Sequence, residues 1–204
     1  MKVLLVNGGP HETGCTYTAL REVADTLEKE GIDTEILWLG NEPIAGCIGC
    51  GYCGKTRECF RKDCVNLFLE KAKTADGFVF GSPVHFASAA GALTSFMDRA
   101  FFCGNFAGKP GASVVSCRRG GATASFDVIN KYFSISEMPI VTSNYWNMVH
   151  GNTPEEVKQD LEGMQTMRTL GRNMAWLLKC IAAGEKSGVS KPENEEKIKT
   201  NFIR

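Results

Sequence analysis

Short runs of apolar residues recur along the chain at intervals that leave room for a helix between them. They are rich in Val, Ile and Phe, and polar residues do not alternate through them. Apolar runs of this length are typical of strands that are buried on both faces. The pattern therefore predicts five buried strands, at residues 2–6, 34–38, 77–81, 112–117 and 139–142.

The segments between the apolar runs show the three- and four-residue spacing of amphipathic helices. In the first of them, Leu20, Val23 and Leu27 fall on one face. The last begins at a capping box, Thr153-Pro154-Glu155-Glu156, and continues as a stripe of Met and Leu residues that ends at Gly184 and is expected to pack in the core. Helices are predicted at residues 16–30, 65–74, 89–102 and 124–133, and from the capping box to residue 184.

Strands and helices thus alternate along the chain. Parallel neighbours need crossover connections, so the alternation predicts a parallel sheet with helices on both faces. We expect a three-layer α/β domain over residues 1–184, with a long cysteine-rich loop at residues 44–64 and ligands at the carboxyl ends of the strands. Residues 185–204 are polar until Phe202 and Ile203, and form a C-terminal arm that either reaches a partner subunit or is a solvated tail.

Composition and charge narrow the class of ligand. The 204 residues carry 23 basic and 23 acidic side chains, so no basic surface indicates nucleic acid binding. No run of about 18 apolar residues is present, and the apolar run before Asn7 is too short for a signal peptide. We therefore expect a soluble, cytoplasmic protein that binds neither nucleic acid nor membrane. In that compartment nine cysteines favour metal or redox chemistry over a disulfide framework.

A glycine-rich loop, VNGGPHETGCT, follows the first predicted strand and runs into a helix. Backbone N–H groups and the positive end of the helix dipole make such a junction an anion site. Gly9 and Gly14 have P-loop spacing, but Cys15 stands where the P-loop lysine would be, and GxGxxG is absent. A single phosphate, as in flavin mononucleotide (FMN), fits better, held by amides, Thr16 and His11. The alternative for the loop is a turn that binds no ligand. Cys15 is expected to be a small residue beside the phosphate, and the alternative is a reactive thiol.

Two further loops follow predicted strands at the same edge of the sheet. A proline-stiffened segment that suits a planar ring follows the third strand and comprises Ser82, Pro83, Val84, His85 and Phe86. A turn with two cations follows the fourth strand and comprises Arg118, Arg119, Gly120 and Gly121. Such a turn can offer amides to a ring carbonyl and positive charge to a reduced flavin. The alternative for the histidine and for both arginines is an ordinary surface position.

Four motifs, in this order and spacing, resemble the NADPH-dependent FMN reductase family of flavodoxin-like proteins, including its iron-sulfur flavoprotein branch. They are VNGGPHETGCT, CIGCGYCGKTREC, GSPVHFASAAGALTSFMDR and CRRGG, and the resemblance extends from residue 1 to about residue 183. It implies a five-stranded parallel sheet in the order 2-1-3-4-5 with FMN at the carboxyl ends of the strands. It also implies homodimers or homotetramers, and hydride transfer from a nicotinamide cofactor to the flavin.

Carried over by position, the resemblance assigns the phosphate to Gly9, Pro10, His11, Cys15 and Thr16, and the flavin ring to the two later loops. Relatives usually have Ser-Pro-Arg where this chain has Gly9-Pro10-His11. One hydroxyl and one permanent cation are therefore lost, and weaker phosphate binding is expected. Relatives often have Tyr at the position of His85, which leaves open how the ring is covered.

Four cysteines, Cys47, Cys50, Cys53 and Cys59, lie within thirteen residues of the long loop and are interleaved with glycines. Iron–sulfur clusters take four thiolates from such a wrap, and the spacing matches the compact motif of iron-sulfur flavoproteins, which hold a [4Fe-4S] cluster. A Zn²⁺ site and free thiols in a structural loop are the other interpretations. Cys64 either replaces a ligand or has no role. The cysteines expected to be small buried residues are Cys103, Cys117 and Cys180.

Together these features predict an FMN-dependent oxidoreductase that takes electrons from NADH or NADPH and passes them through FMN to a small molecule or a redox protein. The flavin carries the chemistry, so no side chain is predicted to be a catalytic acid or base. Two alternatives remain open. One is an iron-sulfur flavoprotein electron carrier with FMN and a [4Fe-4S] cluster, and the other is a flavin-binding module without turnover.

Overall fold

The computed structural model describes residues 1–193, 195, 196, 198 and 200. Its strands are β1 (Lys2–Asn7), β2 (Asp33–Trp38), β3 (Gly77–His85), β4 (Ser88–Ala89), β5 (Gly111–Cys117) and β6 (Met148–His150). Five of them run parallel in the order β2-β1-β3-β5-β6, and β4 pairs antiparallel with β3. The parallel strands thus have the predicted order 2-1-3-4-5, and the sheet has six strands rather than five.

Strand β1 lies inside the sheet and is buried on both faces, as its continuous apolar run predicts. Val6 pairs with Leu37 of β2 on one side and with Phe80 of β3 on the other. All five parallel strands point the same way, so their carboxyl ends meet at one edge of the sheet. The loops predicted to bind ligand begin at this edge.

Helices cover both faces of the sheet and complete the three-layer architecture. They are α1 (Cys15–Lys29), α2 (Cys53–Thr56), α3 (Cys64–Ala72), α4 (Gly91–Cys103), α5 (Ala122–Ile135), α6 (Pro154–Gln159) and α7 (Leu161–Lys186). Helices α1, α6 and α7 pack on one face, and α3, α4 and α5 pack on the other. In the described part of the chain, no helix is long and apolar enough to cross a membrane.

The two faces have cores of different chemistry. The core under α3, α4 and α5 is aromatic, with the Phe68 ring centred 5.2 Å from that of Phe96 and 5.8 Å from that of Phe78. The core under α1 and α7 is aliphatic and includes the methionine stripe predicted from the sequence, namely Met164, Met167 and Met174. Each face is therefore sealed by its own buried cluster.

The fifth parallel strand lies nine residues further along the chain than predicted. Residues 139–142 contribute only an isolated bridge between Ile140 and Gly111. The bridge is closed by bonds from Gly111 N to Pro139 O (2.9 Å) and from Val141 N to Gly111 O (2.8 Å). Pro139 has no N–H to donate, and the chain then leaves the sheet and returns as β6, which pairs with residues 115–117. The prediction of a strand over 139–142 was wrong.

The helix predicted from the capping box to residue 184 is two helices. The Thr153 cap is confirmed, because its hydroxyl accepts a bond from Glu156 N at 3.2 Å, but the Glu156 carboxylate accepts from Asn152 N at 2.6 Å rather than from Thr153 N, so the box is only half formed. Asp160 ends α6 and caps α7: its carboxylate accepts from Gly163 N at 2.9 Å and from His150 N at 2.7 Å. A side chain that bonds outside the helix in this way interrupts it. Helix α7 then runs through Gly184 to Lys186.

The predicted C-terminal arm is described only in part. Lys191 donates from Nζ to Ala107 O at 3.1 Å, which holds the beginning of the arm against the loop before β5. Residues 194, 197, 199 and 201–204 lie outside the described residues, and they include Phe202 and Ile203.

Candidate functional site

Asn7, the last residue of β1, organises the first candidate loop. Its buried side chain accepts a hydrogen bond from Gly9 N at 2.9 Å. Its amide nitrogen donates to His11 O at 3.3 Å and to Glu12 O at 3.1 Å. One side chain therefore folds residues 9–12 back over the end of the strand.

Neighbouring strands hold the same loop from both sides. Gly8 N donates to Gly81 O of β3 at 2.9 Å, and the indole Nε1 of Trp38 donates to Gly9 O at 2.9 Å. Gly8 packs so closely that a Cβ there would lie 2.8 Å from Leu93 Cβ of α4, so only glycine fits. The loop is thus fixed against β2, β3 and α4 before any ligand binds.

The loop leads into the N-terminus of α1, where Gly14 provides no side-chain cap. The first N–H groups of a helix lack intrahelical partners, and the helix dipole favours an anion beside them. Thr16 is buried, and its hydroxyl lies 2.8 Å from the Ser116 hydroxyl of β5, whereas Pro10 and His11 are exposed. The predicted phosphate residues therefore surround one helix N-terminus.

Cys15 is half-buried in the first turn of α1. Burial raises the pKa of its thiol, and the charges of Glu156 and Glu155 raise it further. A raised pKa keeps the thiol protonated and lowers its nucleophilicity. The half-buried position and the raised pKa therefore argue against a reactive thiol at Cys15.

The second candidate segment is part of a hairpin rather than a loop that starts after Gly81. Strand β3 continues to His85, reverses through Phe86 and Ala87, and pairs with β4. Both turn residues have positive φ, 51° and 58°, as two-residue hairpin turns require. The predicted loop boundary was wrong because neither residue is one of the Asn or Gly residues that usually signal such a turn.

Side chains of the hairpin divide between structural and exposed positions. The buried Ser82 hydroxyl accepts from Ala90 N at 2.9 Å and donates to Pro83 O at 2.8 Å, so it closes the hairpin at its base. Val84 is half-buried, whereas His85 is exposed and Phe86 is fully exposed at the tip. The hairpin therefore presents an imidazole and a phenyl ring outside the folded core.

The structure brings the third candidate segment against this hairpin. Gly121 has φ 92°, and a Cβ built on it would lie 2.6 Å from Ala87 Cα and 2.9 Å from Val84 Cγ1. Arg118, Arg119 and Gly120 are exposed just before this contact. The two segments predicted to hold a planar ring are therefore in direct contact, and only glycine allows the approach.

Four cysteines of the long loop line one pocket. Cys47 and Cys50 are exposed, Cys53 is half-buried at the start of α2, and Cys59 is buried. The pocket has a volume of about 150 Å³, and α4 contributes Arg99 and Cys103 to its lining. Within the described residues, no three His, Cys, Asp or Glu side chains are grouped closely enough to hold a metal ion as they stand.

The tight turns of the chain segment that surrounds the pocket depend on glycine. Gly49 and Gly51 have φ of 65° and 71°, a conformation that other residues rarely adopt. They let the chain turn between successive cysteines. Four thiols on one tightly turned segment form a donor set that suits an iron–sulfur cluster.

Arg99 is the feature of this pocket that the sequence did not reveal. The adjacent Asp98 does not pair with it, and instead accepts from the Tyr132 hydroxyl at 2.5 Å. Arg99 is 2% exposed and donates to Cys59 Sγ from Nε at 3.3 Å and from Nη2 at 3.2 Å. It also forms a bidentate pair with Asp63, at 2.7 and 2.9 Å.

The remaining cysteines differ in burial. Cys103 is buried in the pocket, and burial together with Cys53 and Cys59 raises the pKa of its thiol to about 12. Cys64 begins α3 and is half-buried, and burial raises its pKa as well. Cys117 is buried as expected, but Cys180 is exposed on α7, where the prediction was wrong.

Similarity to known proteins identifies the family of this chain. A family model described as NADPH-dependent FMN reductase matches residues 1–153. The chain belongs to this family. An iron-sulfur flavoprotein of Methanocaldococcus jannaschii is 33% identical over 192 residues, which cover 89% of this chain and 99% of the relative. The predicted resemblance to the FMN reductases and to their iron-sulfur flavoprotein branch is thus confirmed.

Solved structures with low sequence identity share the fold of this FMN reductase family member. RosB, solved with bound 8-demethyl-8-formylriboflavin-5′-phosphate, has a TM-score of 0.67 at 15% identity and covers all of this chain, which covers 92% of RosB. A flavodoxin from the domain Archaea has a TM-score of 0.59 at 16% identity, with 88% of this chain and 99% of the flavodoxin covered. The predicted flavodoxin-like α/β fold is confirmed.

Three residues that build the FMN reductase loops were missed in the sequence. Asn7 carries a local signal, because it is the polar residue that follows the apolar run of β1 and precedes the glycine loop. Trp38 was counted only as part of a strand, and Ser116 as part of another. Their bonds to the first loop join residues 29 and 100 positions apart, so no local pattern could show them.

Proposed function

We propose that this protein is an FMN-dependent oxidoreductase that also carries a [4Fe-4S] cluster and passes electrons between the two cofactors and an acceptor. The observation that carries the proposal is the single pocket lined by Cys47, Cys50, Cys53 and Cys59 in a member of the FMN reductase family. Four thiols on one glycine-rich segment match the ligand set of an iron–sulfur cluster, which supports this proposal over a reductase that uses flavin alone.

In this proposal FMN binds at the carboxyl edge of the sheet, where it supplies hydride and single-electron chemistry. The backbone N–H groups of residues 11–13 and of Cys15, at the uncapped N-terminus of α1, hold the phosphate, and the Thr16 hydroxyl assists them. Pro10 has no N–H, and the Gly9 and Gly14 N–H groups already donate to Asn7 Oδ1 and His11 O. The hairpin that carries His85 and the Gly121 turn hold the ring. Arg118 and Arg119 bring positive charge to that side of the site, which favours a reduced, anionic ring.

The cluster is held by the four cysteines and, when bound, supplies one-electron transfer. Cys103 also lines the pocket, but it comes from α4 and lies outside the loop motif, so it is assigned to the pocket wall rather than to the ligand set. Cys64 does not line the pocket. The ligand set is therefore the four cysteines of the loop alone.

Anaerobic purification followed by incubation with iron and sulfide tests the ligand set. About four irons and four sulfides per chain are expected. Cys50→Ser and Cys59→Ser should each abolish cluster retention, whereas Cys180→Ser, an exposed cysteine on α7, should leave the iron content unchanged. Zinc without sulfide, or no metal at all, would overturn the proposed cluster.

FMN binding is tested separately, by quenching of flavin fluorescence. FMN should bind more tightly than riboflavin, because the proposed site is built around the phosphate. Equal affinity for the two flavins would contradict the phosphate assignment, and failure to bind either would overturn the proposal as a whole.

The electron donor in this proposal is NADH or NADPH, of which the family description names NADPH. Anaerobic stopped-flow mixing should bleach the flavin absorbance with at least one of the two nucleotides. Reduction by a redox protein alone would instead support the electron-carrier alternative, and no reduction by either would support a flavin-binding module without turnover. The acceptor is a small molecule or a redox protein, and a homodimer or homotetramer is the expected assembly, measurable by sedimentation.

A further inference from the structure

Arg99 is a buried cation whose partners all belong to the cysteine-rich segment. Its guanidinium lies on α4, and its side chain is 1% exposed. Besides Cys59 and Asp63, it donates to the carbonyl oxygens of Ala45 at 3.3 Å and Arg61 at 3.4 Å. One side chain therefore contacts both ends of the segment that surrounds the pocket.

The two bonds to Cys59 distinguish this cysteine from the other three. Nε and Nη2 both donate to its sulfur, at 3.3 and 3.2 Å. Hydrogen bonds to ligand sulfurs and nearby charge are among the factors that set the potential of an iron–sulfur cluster. Reduction adds one electron and therefore one negative charge, without breaking a bond. Two N–H donors on a permanent cation stabilise that charge.

Asp63 opposes this effect. Its carboxylate pairs with Nη1 and Nη2 of Arg99 and cancels much of the positive charge that reaches Cys59. Asp63 also caps α3 by accepting from Val65 N at 3.1 Å. Asn caps helices as well as Asp does, so Asp63→Asn can remove the charge and keep the cap.

We propose that Arg99 is a positioning residue that raises the reduction potential of the iron–sulfur cluster through Cys59, and that Asp63 sets how much of the Arg99 charge Cys59 experiences. This inference rests on the proposed function, since it requires the cluster. Its electron comes from the flavin or an external reductant, and no further reactant is needed.

Anaerobic redox titration of the reconstituted protein, followed by electron paramagnetic resonance, tests the inference. Arg99→Gln should lower the cluster potential, and Asp63→Asn should raise it. Each shift is expected to reach a tenfold change in the reduction equilibrium, which is about 59 mV for one electron. Arg99→Lys keeps the charge but loses the planar fork, so its potential should fall less than that of Arg99→Gln.

Because the two variants are expected to shift the cluster potential in opposite directions, the titration distinguishes an electrostatic role of Arg99 from a structural one. If Arg99 only ties the segment to α4, Arg99→Gln and Asp63→Asn should both lose iron or both retain the wild-type potential, and either result would overturn the inference. If Arg99→Gln does not fold, as judged by circular dichroism and FMN content, Asp63→Asn decides alone: an unchanged or lowered potential contradicts the proposal. Absence of iron and sulfide from the wild-type protein would refute the cluster itself, a different outcome.

Discussion

The indole of Trp38 holds the carbonyl of Gly9 at 2.9 Å, so the end of β2 supports the loop that follows β1. Trp38→Phe removes this donor and keeps most of the ring. A lost hydrogen bond of this kind costs about 1 kcal/mol, which would weaken FMN binding about fivefold. Flavin fluorescence titration measures the effect. Trp176→Phe, an exposed tryptophan on α7, is the matched control and should bind FMN like the wild type. An unchanged affinity in Trp38→Phe would show that the loop does not need this support.

Asn7 makes three hydrogen bonds within the first loop, one as acceptor and two as donor. Asn7→Ala leaves the buried Gly9 N–H without its acceptor and frees two carbonyls. We expect the free energy of unfolding to fall by about 2 to 3 kcal/mol and FMN affinity to fall with it. Urea denaturation followed by circular dichroism measures the first effect.

The control for this variant is Asn173→Ala. Asn173 is half-buried on α7 and donates a single bond to Thr142 O at 2.7 Å, so its loss should cost about 1 kcal/mol. Similar losses in the two variants would contradict the organising role of Asn7.

Gly121 is the point at which the turn after β5 meets the hairpin tip. Gly121→Ala places a Cβ 2.6 Å from Ala87 Cα at a φ of 92°, so both sterics and backbone conformation oppose it. A cost of about 2 kcal/mol is expected, together with a changed absorption spectrum of bound flavin. Gly120→Ala, whose Cβ would meet no atom within 4 Å, should be neutral in thermal denaturation. Equal stability of the two variants would mean that the contact is not maintained.

Tyr132 makes the free energy of unfolding depend on pH in the alkaline range. Burial, and then the hydrogen bond to Asp98, raises the pKa of its hydroxyl. The folded state holds this proton more tightly than the unfolded chain, so the contribution to stability is complete below about pH 10 and is lost as pH rises through the folded pKa. The difference in unfolding free energy between wild type and Tyr132→Phe should therefore be constant from pH 7 to 9 and fall above about pH 10. A constant difference up to pH 11 would contradict the shift.

The elements with long, regular patterns could be predicted from the sequence, and the short ones could not. Four of the five parallel strands lie where their apolar runs placed them, because each run is long enough to indicate a strand. Strand β2 lies at the edge of the sheet and is only half-buried, so the prediction that it is buried on both faces was wrong. Strand β6 has only three residues, so the longer apolar run at 139–142 was chosen instead. The hairpin was missed because Phe86 and Ala87 adopt positive φ without the usual turn residues.

The loops that form the candidate site could be located, because ligands bind where parallel strands end. The atoms that shape those loops could not, since they come from distant parts of the chain. Arg99 reaches Cys59 across 40 positions and Asp63 across 36. Nothing in the local sequence around Arg99 shows that its partner is a cysteine rather than the neighbouring Asp98.

Helix α4 touches both candidate sites, since Leu93 packs on Gly8 and Arg99 reaches Cys59. The two residues are about 9 Å apart along the helix axis, at 1.5 Å per residue. Helix α4 is rigid and therefore fixes the separation between the flavin loop and the cysteine pocket. Changes in the length of the cysteine-rich loop leave that separation intact. One residue inserted between Leu93 and Arg99 would rotate the guanidinium by about 100° around the helix and detach it from Cys59.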